Sequence, residues 1–272
     1  MIPNILSIAG SDPSGGAGIQ ADLKAIAANG GHGMAALTAL TAQNTQEVRG
    51  VHLVPTDFVR AQIETVFADV RVDAVKLGML ATAEIAAAVA DALEAEAARG
   101  NRPPVVLDPV MVASSGARLL DDAAVSTIIE RLMPLATIVT PNLWELEVLT
   151  RLPKAQDRAQ MAEAAEALLA NGAPAVFAKG GHLKTDESPD LLLASGETVW
   201  LDAPRVATRN THGTGCTTAS SIATYLGHGR SLRAAVEAAK AYIAGAIAKA
   251  DTLQVGQGHG PVHHFYKLWS TS

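Results

Sequence analysis

The sequence predicts an α/β fold, with a mostly parallel central sheet, helices on both faces and a small antiparallel hairpin at one edge. Short, nearly continuous apolar runs alternate with longer alanine-rich amphipathic stretches along the chain, the pattern of buried parallel strands joined by crossover helices. One stretch, DLLLASGETVWLDAP, breaks the alternation by placing a Ser-Gly turn between two apolar runs, which is a hairpin signal. No composition break or Pro/Ser-rich linker divides the chain and no internal repeat is present, so a single domain over residues 1–272 is expected.

The elements follow in order. NILSIA (4–9) is the first strand, and the glycine-rich turn after it feeds a helix, IQADLKAIAANG, that closes on Gly30. AALTAL (35–40) is the second strand, followed by TDFVRAQIETVFADV, a helix expected to open on a threonine cap. AVKLG (74–78) is a strand and TAEIAAAVADALEAEAARG the helix that covers it. VVLDPV (105–110), ATIVT (136–140) and AVFAK (175–179) complete the buried strands, with DRAQMAEAAEALLANG as a helix before the last. Two further helices follow Gly215.

Composition narrows the function. Hydrophobic residues are 49% of the chain and aromatic ones only 4%, so the core rests on Ala, Val, Leu and Ile. A formal charge of −6 without a Lys/Arg run provides no footprint for nucleic acid or an anionic membrane, which leaves a small molecule as the expected partner. One cysteine excludes an internal disulfide and a cysteine-rich zinc site, and suits a reducing cytoplasm. The N-terminus has no basic region, and no uninterrupted apolar run reaches the roughly eighteen residues of a membrane span. A cytoplasmic location is expected.

In open α/β sheets ligands gather at the carboxyl ends of the strands, and here those ends are polar or glycine. They carry Gly10 and the turn leading to Asp22, Gln43 with Asn44, Gly78 with Met79, Asp108, Asn142 with Glu145, and Lys179 with Gly180 and Gly181. Singly, each admits a plain reading. GGAG serves equally as a flexible turn, and it is neither a P-loop nor a dinucleotide fingerprint. Asp108 either caps a turn before proline or, with Glu145 at the adjacent strand end, suits a Mg²⁺ held partly through water. Lys179 is either a snorkelling surface lysine or a phosphate ligand. The stretch NTHGTGC (210–216) is stronger. Gly213 and Gly215 strip side chains from a turn before a long helix, leaving N–H groups and the positive helix end to an anion, provided the helix starts near residue 214. Cys216, the sole cysteine, is either reactive at that helix start or a small packing residue.

Assembled, these residues resemble the ribokinase-like superfamily of small-molecule kinases. The resemblance runs through AGSDPSGGAGIQADLK (9–24), ALTAQNT (39–45), VKLGML (75–80), VVLDPVMVASSG (105–116), TPNLWELE (140–147), AKGGHL (178–183), THGTGCTTAS (211–220) and GHGPVHHF (258–265). Within the superfamily the chain is most similar to the hydroxymethylpyrimidine and phosphomethylpyrimidine kinases of thiamine biosynthesis. The resemblance implies ATP-dependent, Mg²⁺-assisted phosphorylation of 4-amino-5-hydroxymethyl-2-methylpyrimidine, then of its monophosphate to the diphosphate. It implies that Gln43 hydrogen-bonds the aminopyrimidine, with Asp22, Met79 and the backbone near Gly10 completing the acceptor pocket. Asp108 and Glu145 would organise Mg²⁺ around ATP, Lys179 would lie along the phosphates, and Gly213, Thr214 and Gly215 would form the anion hole. Cys216 would take the position of the catalytic aspartate of the sugar kinases. A homodimer is implied as well, while the histidines of GHGPVHHF read as packing rather than metal ligands. Pyridoxal or pyridoxine kinase is the alternative within the fold, and a non-catalytic pyrimidine sensor the alternative outside enzymes. A helix N-terminus lowers a thiol pKa and a nearby anion raises it, so the sequence leaves the state of Cys216 open.

Overall fold

The structure, a computed structural model, describes residues 1–111 and 120–269; the VVLDPVMVASSG motif from residue 112 onward lies outside the described residues. Its strands are β1 (Asn4–Ser11), β2 (His32–Gln43), β3 (Val48–Leu53), β4 (Ala74–Leu77), β5 (Val105–Leu107), β6 (Ile138–Val139), β7 (Ala175–Lys179), β8 (Asp190–Ala194) and β9 (Glu197–Leu201). They form one sheet in the order β3-β2-β1-β4-β5-β6-β7-β8-β9. The pairings from β2 through β7 are parallel. Chain direction reverses at β7–β8 and β8–β9, where the hairpin turn uses Ser195 at φ 50° and Gly196 at φ 79°, the two positive φ values a tight two-residue turn needs.

Alternation along the strands sends side chains to two layers. Leu6, Ile8, Val75, Leu77, Leu107, Val139 and Val176 face one core, covered by α2 (Thr56–Asp69), α3 (Ala83–Ala98), α4 (Asp122–Thr127), α5 (Leu143–Thr150) and α6 (Arg158–Ala170). Ile5, Val106, Ile138 and Phe177 face the other, covered by α1 (Gly18–Ala28), α7 (Thr214–Gly227) and α8 (Leu232–Ala248). Abundant alanine on these helices, such as Ala219, Ala223 and Ala239, lets them approach the sheet and each other closely. Among the described residues no helix is long and apolar enough to cross a membrane.

Two local expectations change, and one motif gains a structural role. β3 is a strand absent from the sequence-based assignment, pairing antiparallel with β2 to form a second antiparallel edge; its side chains are mostly exposed, so VRGVHL lacks the apolar run that marks the buried strands. Thr56 is not the cap of α2. Pro55 occupies the cap position and no side chain closes that end, leaving Asp57 to face the positive helix end. The N-x-x-E segment opens α5 with a capping box, in which the Asn142 side chain accepts from the Trp144 and Glu145 amides and Glu145 accepts from the Asn142 amide at 2.7 Å.

Candidate active site

A cleft of about 1020 Å³ opens at the carboxyl ends of the parallel strands. Sheet order distributes its lining. Gly10 and Gln43 end β1 and β2, Met79 follows β4, Asp108 follows β5, and Lys179 ends β7. β3 adds Val48 and Val51 beside Gln43 and Thr41, because the antiparallel register sets Thr41 opposite Val51 and, past a bulge, Gln43 opposite Val48. Toward the hairpin edge the lining turns apolar again at Val206 and at Ile243, Ala244 and Ile247 of α8.

The expected anion turn has the geometry that it requires. Gly213 is the N-cap of α7 at φ 78°, and a Cβ there would collide with the Gly16 carbonyl oxygen, so both backbone conformation and contact demand glycine. The first intrahelical bond joins the Thr217 amide to Gly213 O, which leaves the earlier amides of the turn without intrahelical acceptors. Thr214 lines the cleft but commits its amide and hydroxyl to the Thr211 carbonyl. The amides of Gly213, Gly215 and Cys216 are therefore the donors an anion can use. A Cβ on Gly215 would stand 3.1 Å from Lys179 Nζ, so that glycine leaves room between helix start and ammonium.

Lys179 Nζ lies 2.8 Å from Asp108 Oδ1, and the Thr140 hydroxyl approaches the same oxygen at 3.3 Å. Burial pulls the Lys179 pKa down, but the Asp108 and Glu145 carboxylates outweigh it and raise it, keeping the ammonium charged. Burial, reinforced by Asp108, pushes the Glu145 carboxyl up to about 7. Two buried carboxylates facing a cation are an oxygen donor set suited to Mg²⁺ completed by water and phosphate; no group of three or more metal-ligating side chains exists among the described residues.

Asp22 departs from its expected place. It has no exposed surface and lies beneath the cleft floor, where it accepts from Lys76 Nζ at 2.9 Å, Ser7 Oγ at 2.7 Å and Ser220 Oγ at 2.8 Å. A carboxylate so enclosed cannot also receive the acceptor ring. What reaches the cleft above it is Lys76, an ammonium that stays charged because the Asp22 and Asp108 carboxylates outweigh its complete burial. Cys216 is partly buried at the first turn of α7. Burial pushes its thiol up to about 11, against the lowering pull of Lys76 and of a Gly18 amide hydrogen bond from the start of α1. The resting group is the neutral thiol.

Gln43, Met79, Gly10, Asp108, Glu145, Lys179, Gly213, Thr214, Gly215 and Cys216 all line this one cleft. The sequence reading missed Lys76, His212 and the apolar set Val206, Ile243 and Ile247. Lys76 carried one available signal, a lysine inside an otherwise apolar strand run, which burial tolerates only with a partner. The other residues depend on contacts distant in sequence, such as the 2.8 Å approach of His212 Nε2 to Asp12 Oδ2.

The chain is similar to known proteins along nearly its whole length. A family model described as phosphomethylpyrimidine kinase matches residues 12–263. A hydroxymethylpyrimidine/phosphomethylpyrimidine kinase of Rhizobium meliloti is 52% identical over 97% of this chain and 97% of its own. The structure of Staphylococcus aureus pyridoxal kinase in complex with AMP-PCP and pyridoxal superimposes with a TM-score of 0.89 at 35% identity, over 98% of this chain and 95% of that one. A phosphomethylpyrimidine kinase from Clostridium difficile 630 superimposes at 0.76 with 38% identity, over 89% of this chain and 98% of that one. With ribokinase-like kinases as its structural neighbours and a family match spanning nearly its whole length, the chain belongs to the phosphomethylpyrimidine kinase family.

Proposed function

We propose that the protein transfers the γ-phosphoryl group of ATP to the hydroxymethyl oxygen of 4-amino-5-hydroxymethyl-2-methylpyrimidine, and then a second phosphoryl group to the resulting monophosphate. The observation that carries this reading is the convergence, in one cleft, of a helix-start anion turn, the Lys179–Asp108 pair and the carboxamide of Gln43. Phosphoryl transfer has a loose transition state, so alignment and neutralisation of the equatorial oxygens supply most of the acceleration. Lys179 and the amides of Gly213, Gly215 and Cys216 hold those oxygens. Val206, Ile243 and Ile247 form an apolar slot for the adenine, while Gln43 and Met79 receive the acceptor ring. Asp108 and Glu145 would hold Mg²⁺, which supplies charge neutralisation to the phosphates of the donor.

Incubation with ATP, Mg²⁺ and the hydroxymethylpyrimidine, with mono- and diphosphate resolved chromatographically, tests the reading. Both products are expected in sequence. Binding of the pyrimidine without ATP consumption would instead revive the sensor alternative. Close superposition on a pyridoxal kinase favours one second reading, activity on pyridoxal-type acceptors, since both rings are flat heteroaromatics bearing a hydroxymethyl group. Side-by-side turnover decides it. A homodimer in the cytoplasm belongs to the same proposal. The open edge strand β3 and the exposed Leu40 and Leu53 support a second copy covering that edge, and sedimentation measures it.

A further inference from the structure

His212 precedes the phosphate turn, yet its ring reaches the acceptor wall. Its Nε2 lies 2.8 Å from Asp12 Oδ2 and 3.4 Å from Gln43 Nε2. Asp12 also accepts from the Ser14 hydroxyl and from the amides of Ser14, Gly16 and Ala17. Burial raises its pKa, but the bonds from His212, Ser14 and Ala17 prevail and hold the carboxyl below the usual carboxylate range. A carboxylate has no proton to give, so the hydrogen between the two groups sits on His212 Nε2. That nitrogen cannot then accept from a Gln43 N–H.

The other flank of the amide leads to the same conclusion. The Thr41 hydroxyl donates to the Ser11 carbonyl at 2.8 Å, so it meets Gln43 Oε1, at 3.3 Å, with a lone pair. Both mismatches vanish when the isosteric ends of the carboxamide are exchanged by a half-turn. Gln43 Oε1 then becomes the second, longer acceptor, at 3.4 Å, of the His212 Nε2–H that Asp12 Oδ2 accepts at 2.8 Å, and Gln43 Nε2 donates to Thr41 Oγ1.

We propose that His212, held by Asp12, and Thr41, held by Ser11, lock the Gln43 carboxamide in this sense and so dictate the hydrogen-bonding pattern of the acceptor ring. The inference rests on the pyrimidine reading of the site. The flanks occupy one lone pair and one N–H of the amide, leaving a lone pair and an N–H side by side on its outer edge. A freely rotating amide would pair equally with an amino group beside a ring nitrogen or with a carbonyl beside a ring N–H. A locked amide accepts only one of these orders. His212 is a positioning residue that acts through Gln43. Because its own amide bonds to the Gly260 carbonyl at 3.0 Å and Gly213 follows directly, one residue ties the acceptor lock to the phosphate turn.

The test compares kcat and KM for the 4-amino acceptor and for its 4-oxo analogue, 5-hydroxymethyl-2-methylpyrimidin-4-one, in the wild type, His212→Phe, His212→Gln and Thr41→Val. The wild type should favour the amino ring by about 10²-fold or more in kcat/KM, since the wrong order leaves polar groups unpaired. His212→Phe and Thr41→Val should each cut that preference by about tenfold, mainly through KM for the amino acceptor and with KM for ATP little changed. His212→Gln, which keeps a donor near the Nε2 position, should restore it. Loss of kcat and ATP binding with the amino preference intact would overturn the lock, and Thr41→Val keeps that outcome measurable if His212→Phe does not fold. Absence of wild-type turnover on the amino acceptor would overturn the pyrimidine reading and the lock together, whereas turnover with an unaltered preference in the variants overturns the lock alone. Nitrogen-15 NMR of the free protein gives an independent readout: a proton on His212 Nε2 is expected, and a neutral ring protonated only on Nδ1 refutes the proposal.

Discussion

Cys216 stands where two helix starts meet, at the first turn of α7 with a Gly18 amide of α1 bonded to its sulfur. Helix ends of this kind lower a thiol pKa, yet burial prevails and pushes it up to about 11. At pH 7 only about one thiol in 10⁴ is then ionised. This state suits the second transfer, in which the nucleophile is an already anionic monoester oxygen that a fixed negative charge would repel. The first transfer releases an alcohol proton, and the role we propose for the thiolate is to accept it. Cys216→Ala should slow the first phosphorylation by about 10²-fold, the lower range of general-base assistance, and the second by less than about threefold. The wild-type first-step rate should climb as pH rises toward 11 while the Ala variant stays flat. Cys216→Asp should selectively weaken binding of the monophosphate. Equal losses in both steps, measured on each acceptor separately, would refute this division. As the sole cysteine, Cys216 also reports directly through alkylation, which should be slow at pH 7 and accelerate steadily above pH 9.

At the scale of elements, the proposed anion turn depends on the start of α7 rather than on any side chain. Gly213→Ala imposes a Cβ at φ 78° and against the Gly16 carbonyl, a conformation that costs on the order of 1–3 kcal/mol. Displacing the turn should lower kcat by about 10²–10³-fold, the loss typical of removing one preorganised donor. A protein that keeps its melting temperature and full kcat would show that the turn tolerates a side chain. This turn was legible in the sequence because glycine spacing before a helix is local information. The buried strands were legible for the same reason, since each is a short apolar run. β3 was not, because an exposed edge strand needs no such run and is recognised only by pairing with β2. Asn142 and Glu145 were read as site residues, and their second task, capping α5, emerged from backbone geometry. Asp22 sits on the right helix, but the phase of α1 turns it inward to Lys76, and strand-end reasoning does not reveal phase.

At the scale of the whole molecule, the C-terminal segment binds α7 and α8 together behind the cleft. The Tyr242 hydroxyl donates to the His264 carbonyl at 2.7 Å, the His263 amide bonds to Ala246 O at 3.0 Å, and His264 Nε2 lies 2.9 Å from Thr217 Oγ1. His264 is only 4% exposed. Burial, followed by the charges of Lys24 and His263, pushes it down to about 3 from an ordinary 6.5. The sign follows from proton binding. Between these two values the unfolded chain takes up a proton that the folded chain refuses, so acidification favours unfolding. The stabilising contribution is complete above about pH 6.5 and declines as pH falls toward 3, by on the order of 1.4 kcal/mol for each pH unit. From pH 7 to pH 5 this amounts to about 2 kcal/mol, or a fall of about 5 °C in melting temperature for a chain of this size. His264→Gln cannot take up that proton and keeps a side-chain hydrogen-bonding group for Thr217, so its melting temperature should fall about 5 °C less than that of the wild type over the same interval. His263, which burial shifts in the same direction, leaves part of the slope in place in both proteins. Melting curves that decline in parallel would assign the acid sensitivity to other groups and leave His264 as a packing residue alone.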